Sequence, residues 1–278
     1  PPGFEWERIS ASDVSNLSAF ETSIQSRDQF FGVGRCIICR TDSPLNDCHI
    51  IPQCEQLTVN RGWVPASAKA TAMHEPRNGI LMCSNHHGQF NSDQFFIRYI
   101  PEVEKFIFNN YSDKGQGDLK QYHGKAVALD IKHRYSPYAA LFLIHEMRVR
   151  GFNPFQAPII ELGIDPSWQD WISDFDVFDS SKGVFKRDRK QRGPDPPGAN
   201  PSSTSMPPAS STAAASSSRT RTILIGPPDE DVIDDILTSM HAMPTWRAGV
   251  LEGMIWDGTA DENVRQYVTG MQLEDAQT

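Results

Sequence analysis

Cysteine and histidine residues are concentrated in the first third of this 278-residue chain, at spacings that suit metal binding. Cys36 and Cys39 form a Cys-x2-Cys pair, and Cys83 and His86 repeat that spacing. Each pair can bring two donors to one ion, so together they predict a four-ligand site for structural Zn²⁺. For a single pair, two buried thiols would be an equally good interpretation, and it is the matched second pair that favours zinc.

A second set of residues could support hydrolytic chemistry. His49 lies in the apolar stretch 48–51, Asn78 precedes Gly79, and His87 directly follows His86. Neighbouring residues on a helix are turned by about 100°, so His86 and His87 cannot easily serve one ion. We therefore expect His86 to face the zinc and His87 to face a second, functional site.

The elements that must position these residues can be read from the pattern. We predict that His49 lies in a strand at Cys48–Ile51, and that Asn78 caps a helix carrying His87. Taken alone, His49 would more often be structural and Asn78 a simple cap, so the interpretation depends on their order. The other predicted elements are strands at Phe95–Ile100, Lys105–Phe108 and Ala126–Ile131, and helices at Asp13–Ile24, Pro137–Val149, Asp229–Met240 and Ala260–Met271.

The order of strand His, long loop, Asn and second His resembles the His-Asn-His (HNH) nuclease family, whose core is a ββα-metal finger. The resemblance covers roughly residues 35–97, and it is closest to members reading "HIIP … NGILLC … H..F D". It extends toward Arg150, because Tyr122–Lys125 and the helix near His145 resemble segments that follow the motif in fungal members. The implied fold class is α+β, a ββα core with flanking strands and helices.

The resemblance implies a metal-dependent endonuclease acting on DNA. By it, His49 is the general base, Asn78 the central asparagine, and His87 the ligand of a catalytic divalent cation, Mg²⁺ or Mn²⁺. Neutral histidine suits deprotonation of water at pH 7, and a cation can neutralise the charge that develops on the phosphate. Family members generally leave 5′-phosphate and 3′-hydroxyl ends, and the same is expected here.

The acidic ligands of the family are only partly present. Many members have an acidic residue immediately before the base, where this chain has Cys48. Asp47 should share the strand face of His49, and could reach the metal or orient the base. Asn91 stands where related sequences often have Asp, and Asp93 is a candidate replacement. The expected ligands of the catalytic metal are thus His87, Asp47 and Asn91.

Composition divides the chain into five segments. They are a polar lead-in at 1–27, an HNH nuclease-like domain at 28–160, an extension packing on the core at 161–185, a disordered Ser/Pro/Ala-rich linker at 186–225, and an acidic helical tail at 226–278. The net charge of −9 lies largely in the tail, which has 11 Asp and Glu against 2 Lys and Arg. Residues 28–160 have 14 Lys and Arg against 12 Asp and Glu, which permits contact with nucleic acid without predicting it.

Hydropathy and cysteine spacing indicate where in the cell the protein is expected. No apolar run approaches the ~20 residues that cross a bilayer, and the chain begins without the pattern of a secretory signal. Four of the five cysteines fall within 19 positions, which suits metal binding in a reducing compartment better than a disulfide framework. We therefore expect an intracellular protein, in the nucleus or the cytoplasm, that binds nucleic acid and no membrane, with a protein partner for the acidic tail.

Several residues are set aside as structural or incidental. The spacing of the aromatic residues 168, 171, 175 and 178 favours a helix that packs on the core over a base-stacking platform. The basic run 186–192 fits a phosphate grip, a nuclear-import patch or a solvated segment equally well. The remaining candidates without paired ligands are Cys54, His74, His123, His133 and His145.

Two alternatives to an active nuclease stay open. A catalytically inactive, zinc-stapled module that binds nucleic acid or protein would explain Cys48, Asn91 and the mild charge of residues 28–160. An interaction protein that recruits a partner through its acidic tail would use the nuclease-like domain as a scaffold. Cleavage, or binding without turnover, separates these functions.

Overall fold

The computed structural model describes residues 20–51, 59–66, 74–111, 119–157, 159–188, 222–254 and 256–272. It has mixed helix and strand content, as the α+β prediction expects, and the strands within these ranges form five two-stranded antiparallel sheets. The strands are β1 Gln29–Phe30, β2 Val33–Gly34, β3 Leu45–His49, β4 Gly79–Cys83, β5 Phe95–Ile100, β6 Lys105–Asn110, β7 Ile160–Leu162, β8 Phe178–Asp179, β9 Val184–Phe185 and β10 Ile223–Ile225.

The helices are distributed along the whole described chain. Residues 20–27 are helical and form α1, so the described part of the predicted helix 13–24 extends three residues further than expected. The others are α2 Ser84–Asn91, α3 Ala139–Phe152, α4 Asp170–Asp174, α5 Glu230–Ala242, α6 Pro244–Glu252 and α7 Ala260–Gln272. No helix of the described residues is long and apolar enough to span a membrane.

A ββα unit forms the part of the fold that carries the chemically interesting residues. β3 pairs antiparallel with β4, with His49 opposite Gly79, and α2 begins directly after β4. All five residues of β4 are buried, as expected for a continuous apolar run covered on both faces. The predicted ββα arrangement is therefore present, but Asn78 does not begin its helix. Asn78 ends a 3-10 turn at Pro76–Asn78 and leads into β4, and Cys83 is the N-cap of α2.

The hairpin of β5 and β6 and the long helix α3 pack together next to this unit. β5 and β6 pair over their full length, with Glu104 in the left-handed conformation of the turn at φ 52°. α3 packs against β5 and ends at Phe152, three residues beyond the predicted end at Val149. The predicted strand Ala126–Ile131 is wrong, because Ala126 makes isolated bridges to Ile107 and Trp168 and the following residues form no strand.

The acidic C-terminal segment is packed into the same core. Ile236 and Met240 of α5 are buried among the core residues, and Thr245 Oγ1 of α6 donates to Ser136 O at 2.5 Å. α5 and α6 of the predicted tail therefore pack on the core, and the bounds of the tail as a segment stay a prediction. α7 is more exposed, with Val264 62% and Val268 44% accessible, and a protein partner for the tail stays a prediction.

The predicted linker coincides in part with residues outside the described ranges. Residues 189–221 are not described, so the prediction of a disordered segment there cannot be compared with the structure. At its two ends the chain is ordered. Lys186 N donates to Val177 O, and β10 pairs with β7 through Ile223 opposite Leu162. The division into five segments stays a prediction.

Candidate functional site

Cys36, Cys39, Cys83 and His86 come together in one cluster. Their three sulfur atoms and one imidazole nitrogen lie within 4.8 Å of one another. The sulfurs of Cys39 and Cys83 are 3.7 Å apart, and Cys83 Sγ lies 3.2 Å from His86 Nδ1. Two thiolates bound to one tetrahedral zinc at ~2.3 Å would be separated by ~3.8 Å, so the donor set and its spacing both fit Zn²⁺. The cluster could hold such a metal, as the sequence predicts.

Hydrogen bonds within the loop, from the loop to β4 and from Trp171 hold the segment that carries Cys36 and Cys39. Arg40 adopts a left-handed conformation at φ 72° that turns the chain back, so that Cys36 N donates to Thr41 O at 2.8 Å. Ile37 N donates to Leu81 O of β4 at 3.1 Å, and Trp171 Nε1 donates to Ile38 O at 2.8 Å. The cluster is therefore positioned by the hairpin and by the extension around α4. Of the aromatic residues predicted to lie on one helix, only Trp171 is helical.

The protonation of the cluster also suits a cation. Burial raises the pKa of Cys36, whereas hydrogen bonds from neighbouring thiols lower the pKa of Cys39 and of Cys83. Burial opposes the charged form of His86, but the sulfur atoms of Cys39 and Cys83 raise its pKa to about 9. Negative charge on the sulfur atoms therefore attracts a positive partner, and a metal ion would replace the protons there.

His49 lies at the end of β3 and is half-buried. Its ring is stacked on the ring of Phe20 from α1, with centroids 4.6 Å apart and planes at 10°. Asp47, two residues earlier in the strand, accepts a hydrogen bond from Gln25 Nε2 of the same helix at 3.2 Å. Burial raises the pKa of Asp47. Both residues are thus approached by α1, which agrees with their predicted common face.

Asn78 is fully buried beside the residues that follow His49. Its Oδ1 accepts from Ile51 N at 3.1 Å, and its Nδ2 donates to Ile51 O at 2.8 Å. Its backbone carbonyl also accepts from Ile50 N at 2.8 Å. The side chain therefore braces the backbone immediately after the strand of His49.

His87 and Asn91 lie one turn apart on the outer side of α2. Asn91 Nδ2 is 2.9 Å from His87 Nε2, and burial lowers the pKa of His87, which favours the neutral imidazole. β3 contacts α2 directly, so the strand of His49 and the helix of His87 are neighbours. A shared metal-phosphate site for these two residues, with Asp47 and Asn91 as further ligands, stays a prediction.

Cys48, which stands where the family has an acidic residue, and Asp93, the candidate replacement for the acidic residue expected at position 91, are both buried. Cys48 is 1% exposed, and burial raises the pKa of its thiol to about 12, which favours the protonated form. Asp93 Oδ1 accepts from Arg148 Nε of α3 at 2.9 Å. Asp93 is thereby engaged with α3, which argues against its replacing the acidic residue expected at position 91.

The histidines that the sequence analysis judged structural make contacts that fit a structural role. His123 Nδ1 accepts from Asn110 N, and His133 Nδ1 accepts from Tyr135 N. His145 is 1% exposed and stacks on Phe90 with centroids 3.7 Å apart. His74 lies outside the metal cluster, and Cys54 lies outside the described residues. Sequence reasoning missed Phe20 and Gln25, because no local pattern indicates that α1 packs against β3.

Comparison with known proteins supports the resemblance over one segment. Residues 36–98 match a family model described as HNH endonuclease. The match contains the whole metal cluster as well as His49, Asn78 and His87, and it excludes α1 and the acidic segment. It covers less than half of the chain. No curated protein matches the chain, and no solved structure does.

Proposed function

We propose that the chain is a metal-dependent endonuclease that hydrolyses phosphodiester bonds of DNA. One observation carries the proposal: the segment 36–98 matches a family model described as HNH endonuclease and folds as a hairpin followed by a helix, with His49 on β3, Asn78 directly before β4 and His87 on α2. Residues of this type suit hydrolysis of a phosphodiester, which needs a base for water and a cation for the developing charge.

In this proposal, His49 removes a proton from the attacking water. A general base must be held in a fixed orientation, because small displacements of a reacting group cost large factors in rate. Asn78 serves that purpose indirectly, since both polar atoms of its amide hold Ile51, two residues after the base. The carrier of the proton is the imidazole of His49, and the role of Asn78 is to position it.

His87 is the proposed ligand of the catalytic cation, Mg²⁺ or Mn²⁺, which supplies positive charge next to the phosphate when it is bound. Asp47 offers a carboxylate whose Oδ1 is buried and has no hydrogen-bond partner among the described residues. The amide of Asn91 lies against His87 Nε2, and rotation by 180° would present its oxygen instead of its nitrogen. These three residues form the proposed donor set, and the four-ligand Cys/His cluster then serves only to hold the fold.

A nicking assay on supercoiled plasmid DNA tests the proposal. The wild-type protein should cleave with Mg²⁺ or Mn²⁺ and lose cleavage on chelation, with recovery when the metal is returned. His49→Ala and His87→Ala should each lower the rate by 100-fold or more, the scale expected for losing a general base or a metal ligand. His241→Ala, which changes an exposed histidine of α5, is the matched control. Undiminished cleavage by His49→Ala would disprove its role as the base.

A second candidate function is a zinc-stapled module that binds nucleic acid without cleaving it. Cys48, buried and un-ionised, stands where many family members have an acidic ligand, and Asn91 replaces a second carboxylate and lies against His87. A site with few carboxylates binds Mg²⁺ weakly. This function predicts retention of labelled DNA by the wild type, with no product under any of Mg²⁺, Mn²⁺, Ni²⁺ or Zn²⁺.

Restoring the missing carboxylates separates the two candidates. Asn91→Asp should raise the apparent affinity for Mg²⁺ and increase cleavage if the chain is a nuclease with an incomplete ligand set. Asn46→Asp, which places the same charge on β3 beside Ser84, is the control for a nonspecific electrostatic effect. No cleavage by the wild type or by Asn91→Asp, with binding retained, favours the binding module.

A further inference from the structure

One face of the His49 ring is covered by a residue that lies outside the segment matched to HNH endonucleases. Phe20 of α1 is 2% exposed, and its ring is nearly parallel to the imidazole at a centroid distance of 4.6 Å. The torsion that rotates an imidazole about its bond to Cβ has broad minima, so contacts with the ring decide its orientation. A flat apolar surface against one face restricts that rotation.

The approach of α1 depends on the residue opposite His49. Gly79 pairs with His49 across the hairpin, and a Cβ at this position would lie 2.2 Å from Ile24 Cδ1 and 2.7 Å from Phe20 Cζ. Any side chain on Gly79 would therefore push α1 away. The glycine allows Phe20 to sit directly over the strand pair and to reach the imidazole.

The C-terminal end of α1 is fastened to the same hairpin. Arg27, 1% exposed, donates to Gly79 O at 2.8 Å and forms a bidentate pair with Asp28. Asp28 in turn accepts from Leu81 N of β4 at 3.0 Å. These buried bonds tie the helix to the hairpin, so Phe20 is presented to His49 by a fixed element.

A second contact of α1 reaches the same strand face. Gln25 Nε2 donates to Asp47 Oδ2, so one helix touches both polar residues that the sequence assigns to this face. Phe20 and Ile24 both belong to the small apolar cluster that contains Leu81. Of these two residues of α1, Phe20 is the one whose ring also stacks on the imidazole of His49.

We propose that Phe20 is a positioning residue for His49, and that α1 is a working part of the nuclease site although it lies outside residues 36–98. The inference rests on the proposed function for its effect on cleavage. Phe20 fixes the plane of the imidazole and shields one of its faces from water. Through the imidazole it sets the direction in which the base accepts a proton.

The test compares Phe20→Leu with Ile24→Val. Both substitutions remove buried apolar atoms from the same side of α1, but only the first removes the ring from His49. Phe20→Leu should lower kcat for plasmid nicking about 10- to 100-fold with KM little changed, because misorientation of a reacting group acts on the chemical step. Ile24→Val should keep the wild-type kcat. Phe20→Tyr is unsuitable, since a hydroxyl on Cζ would extend toward Gly79.

A spectroscopic measurement keeps the inference independent of activity. In the zinc-loaded wild type, the ring protons of His49 should be shifted upfield by the ring current of Phe20, and Phe20→Leu should move them downfield while Ile24→Val does not. If the resonances do not move in Phe20→Leu, or if both variants cleave alike, the positioning role is wrong and the nuclease proposal stands. If the wild type cleaves no DNA while the resonances shift as expected, the nuclease proposal fails and the orientation of His49 by Phe20 is upheld.

Discussion

Asn78 illustrates how a single buried amide can hold a site together. Asn78→Ala would leave the N–H and C=O groups of Ile51 buried without their partners, and each unsatisfied group costs ~1–3 kcal/mol. We expect the free energy of unfolding in urea to fall by about 3 kcal/mol. Asn46→Ala, which removes an exposed amide bonded to Ser84 Oγ, should cost less than ~0.5 kcal/mol. Equal effects of the two substitutions would contradict the bracing role.

His145 should make the stability of the protein depend on pH. Burial, with a further contribution from Arg148, lowers its pKa to about 3, whereas an unfolded histidine titrates near ~6.5. The unfolded state therefore binds an extra proton below pH ~6.5, so stability is complete above that value and falls as the pH falls. The slope due to this residue approaches ~1.4 kcal/mol per pH unit.

Urea unfolding between pH 6.5 and 5 measures this contribution. His145→Phe keeps a ring against Phe90 and removes the titrating group, so its unfolding free energy should decline less steeply with acid than that of the wild type. Exposed His241→Gln should leave the slope unchanged. Parallel slopes for His145→Phe and the wild type would show that the buried imidazole does not titrate in this range.

At the residue scale, local spacing predicted the metal cluster but not the surroundings of the histidines. The two paired spacings bring their donors together through short loops, so the sequence contains the necessary information for Cys36 and Cys83. The contact between Phe20 and His49 joins residues 29 positions apart on different elements. The packing of α1 on the hairpin brings the two rings together, and no periodicity in the sequence predicts that packing.

At the element scale, two glycines of the ββα unit should respond oppositely to the same substitution. Gly79→Ala places a Cβ against Ile24 and Phe20 and should destabilise the fold by ~1–3 kcal/mol, as overpacking does. A Cβ on Gly88, inside α2, meets nothing within 4 Å, so Gly88→Ala should stabilise by ~0.5–1 kcal/mol. Thermal unfolding of both variants checks the prediction, and a stabilised Gly79→Ala would show that α1 does not press on this position.

The metal cluster should contribute stability to the elements that it joins. It closes the 43-residue segment between Cys39 and Cys83, and structural zinc supplies ~10 kcal/mol or more of binding free energy. Cys36→Ser or Cys83→Ser should therefore unfold the hairpin and reduce solubility. Cys48→Ala, which changes a buried cysteine outside the cluster, should leave metal content intact.

Metal analysis and circular dichroism measure these outcomes. The wild type should contain one zinc per chain, and its removal by a strong chelator should melt the fold, whereas His87→Ala should keep both zinc and fold. A fully folded protein after zinc removal would mean that packing alone holds the cluster.

The elements themselves were predictable where the chain pattern is strong. Enrichment in β-branched and aromatic residues predicted β5 with its observed bounds, and β6 without its last two residues. The stretch 126–131 contributes only isolated bridges, because its backbone N–H groups donate to separate segments: to Ser167 O, Phe106 O and Ile37 O from residues 126, 127 and 128. Asn78 was assigned to a helix because Asn-Gly also suits a cap, whereas here it precedes the buried strand β4.

At the scale of the whole molecule, a buried ion cluster connects the core to its C-terminal segment. Glu146 of α3 pairs with Arg98 of β5 at 2.5 Å and with Arg150 at 2.7 Å, and both arginines donate to the carbonyl of Gly226. Glu146→Gln should cost ~3–5 kcal/mol, since it leaves two positive charges without their buried counterion. Glu161→Gln, on an exposed position of β7, is the control in the same urea titration.

The acidic composition of residues 226–278 predicted a helical tail but gave no indication of how its helices pack on the core. The apolar points Ile236 and Met240 fit a helix that packs on something, but the pattern does not name the surface. The structure places them against the core, where Tyr99 OH also meets Ser239 Oγ at 3.0 Å. What a helix packs on depends on contacts between distant residues.

The hydrogen bonds from Arg98 and Arg150 to the carbonyl of Gly226 bear on whether the protein needs an unbroken chain. The segment 222–252 is held to the core by a strand pair, by buried side chains and by these two guanidinium groups, none of which requires the peptide bonds of residues 189–221. A protease cut within 189–221 should then yield two polypeptides that elute together as one particle. Separately expressed fragments, 1–188 and 222–278, should likewise associate and form the same folded particle.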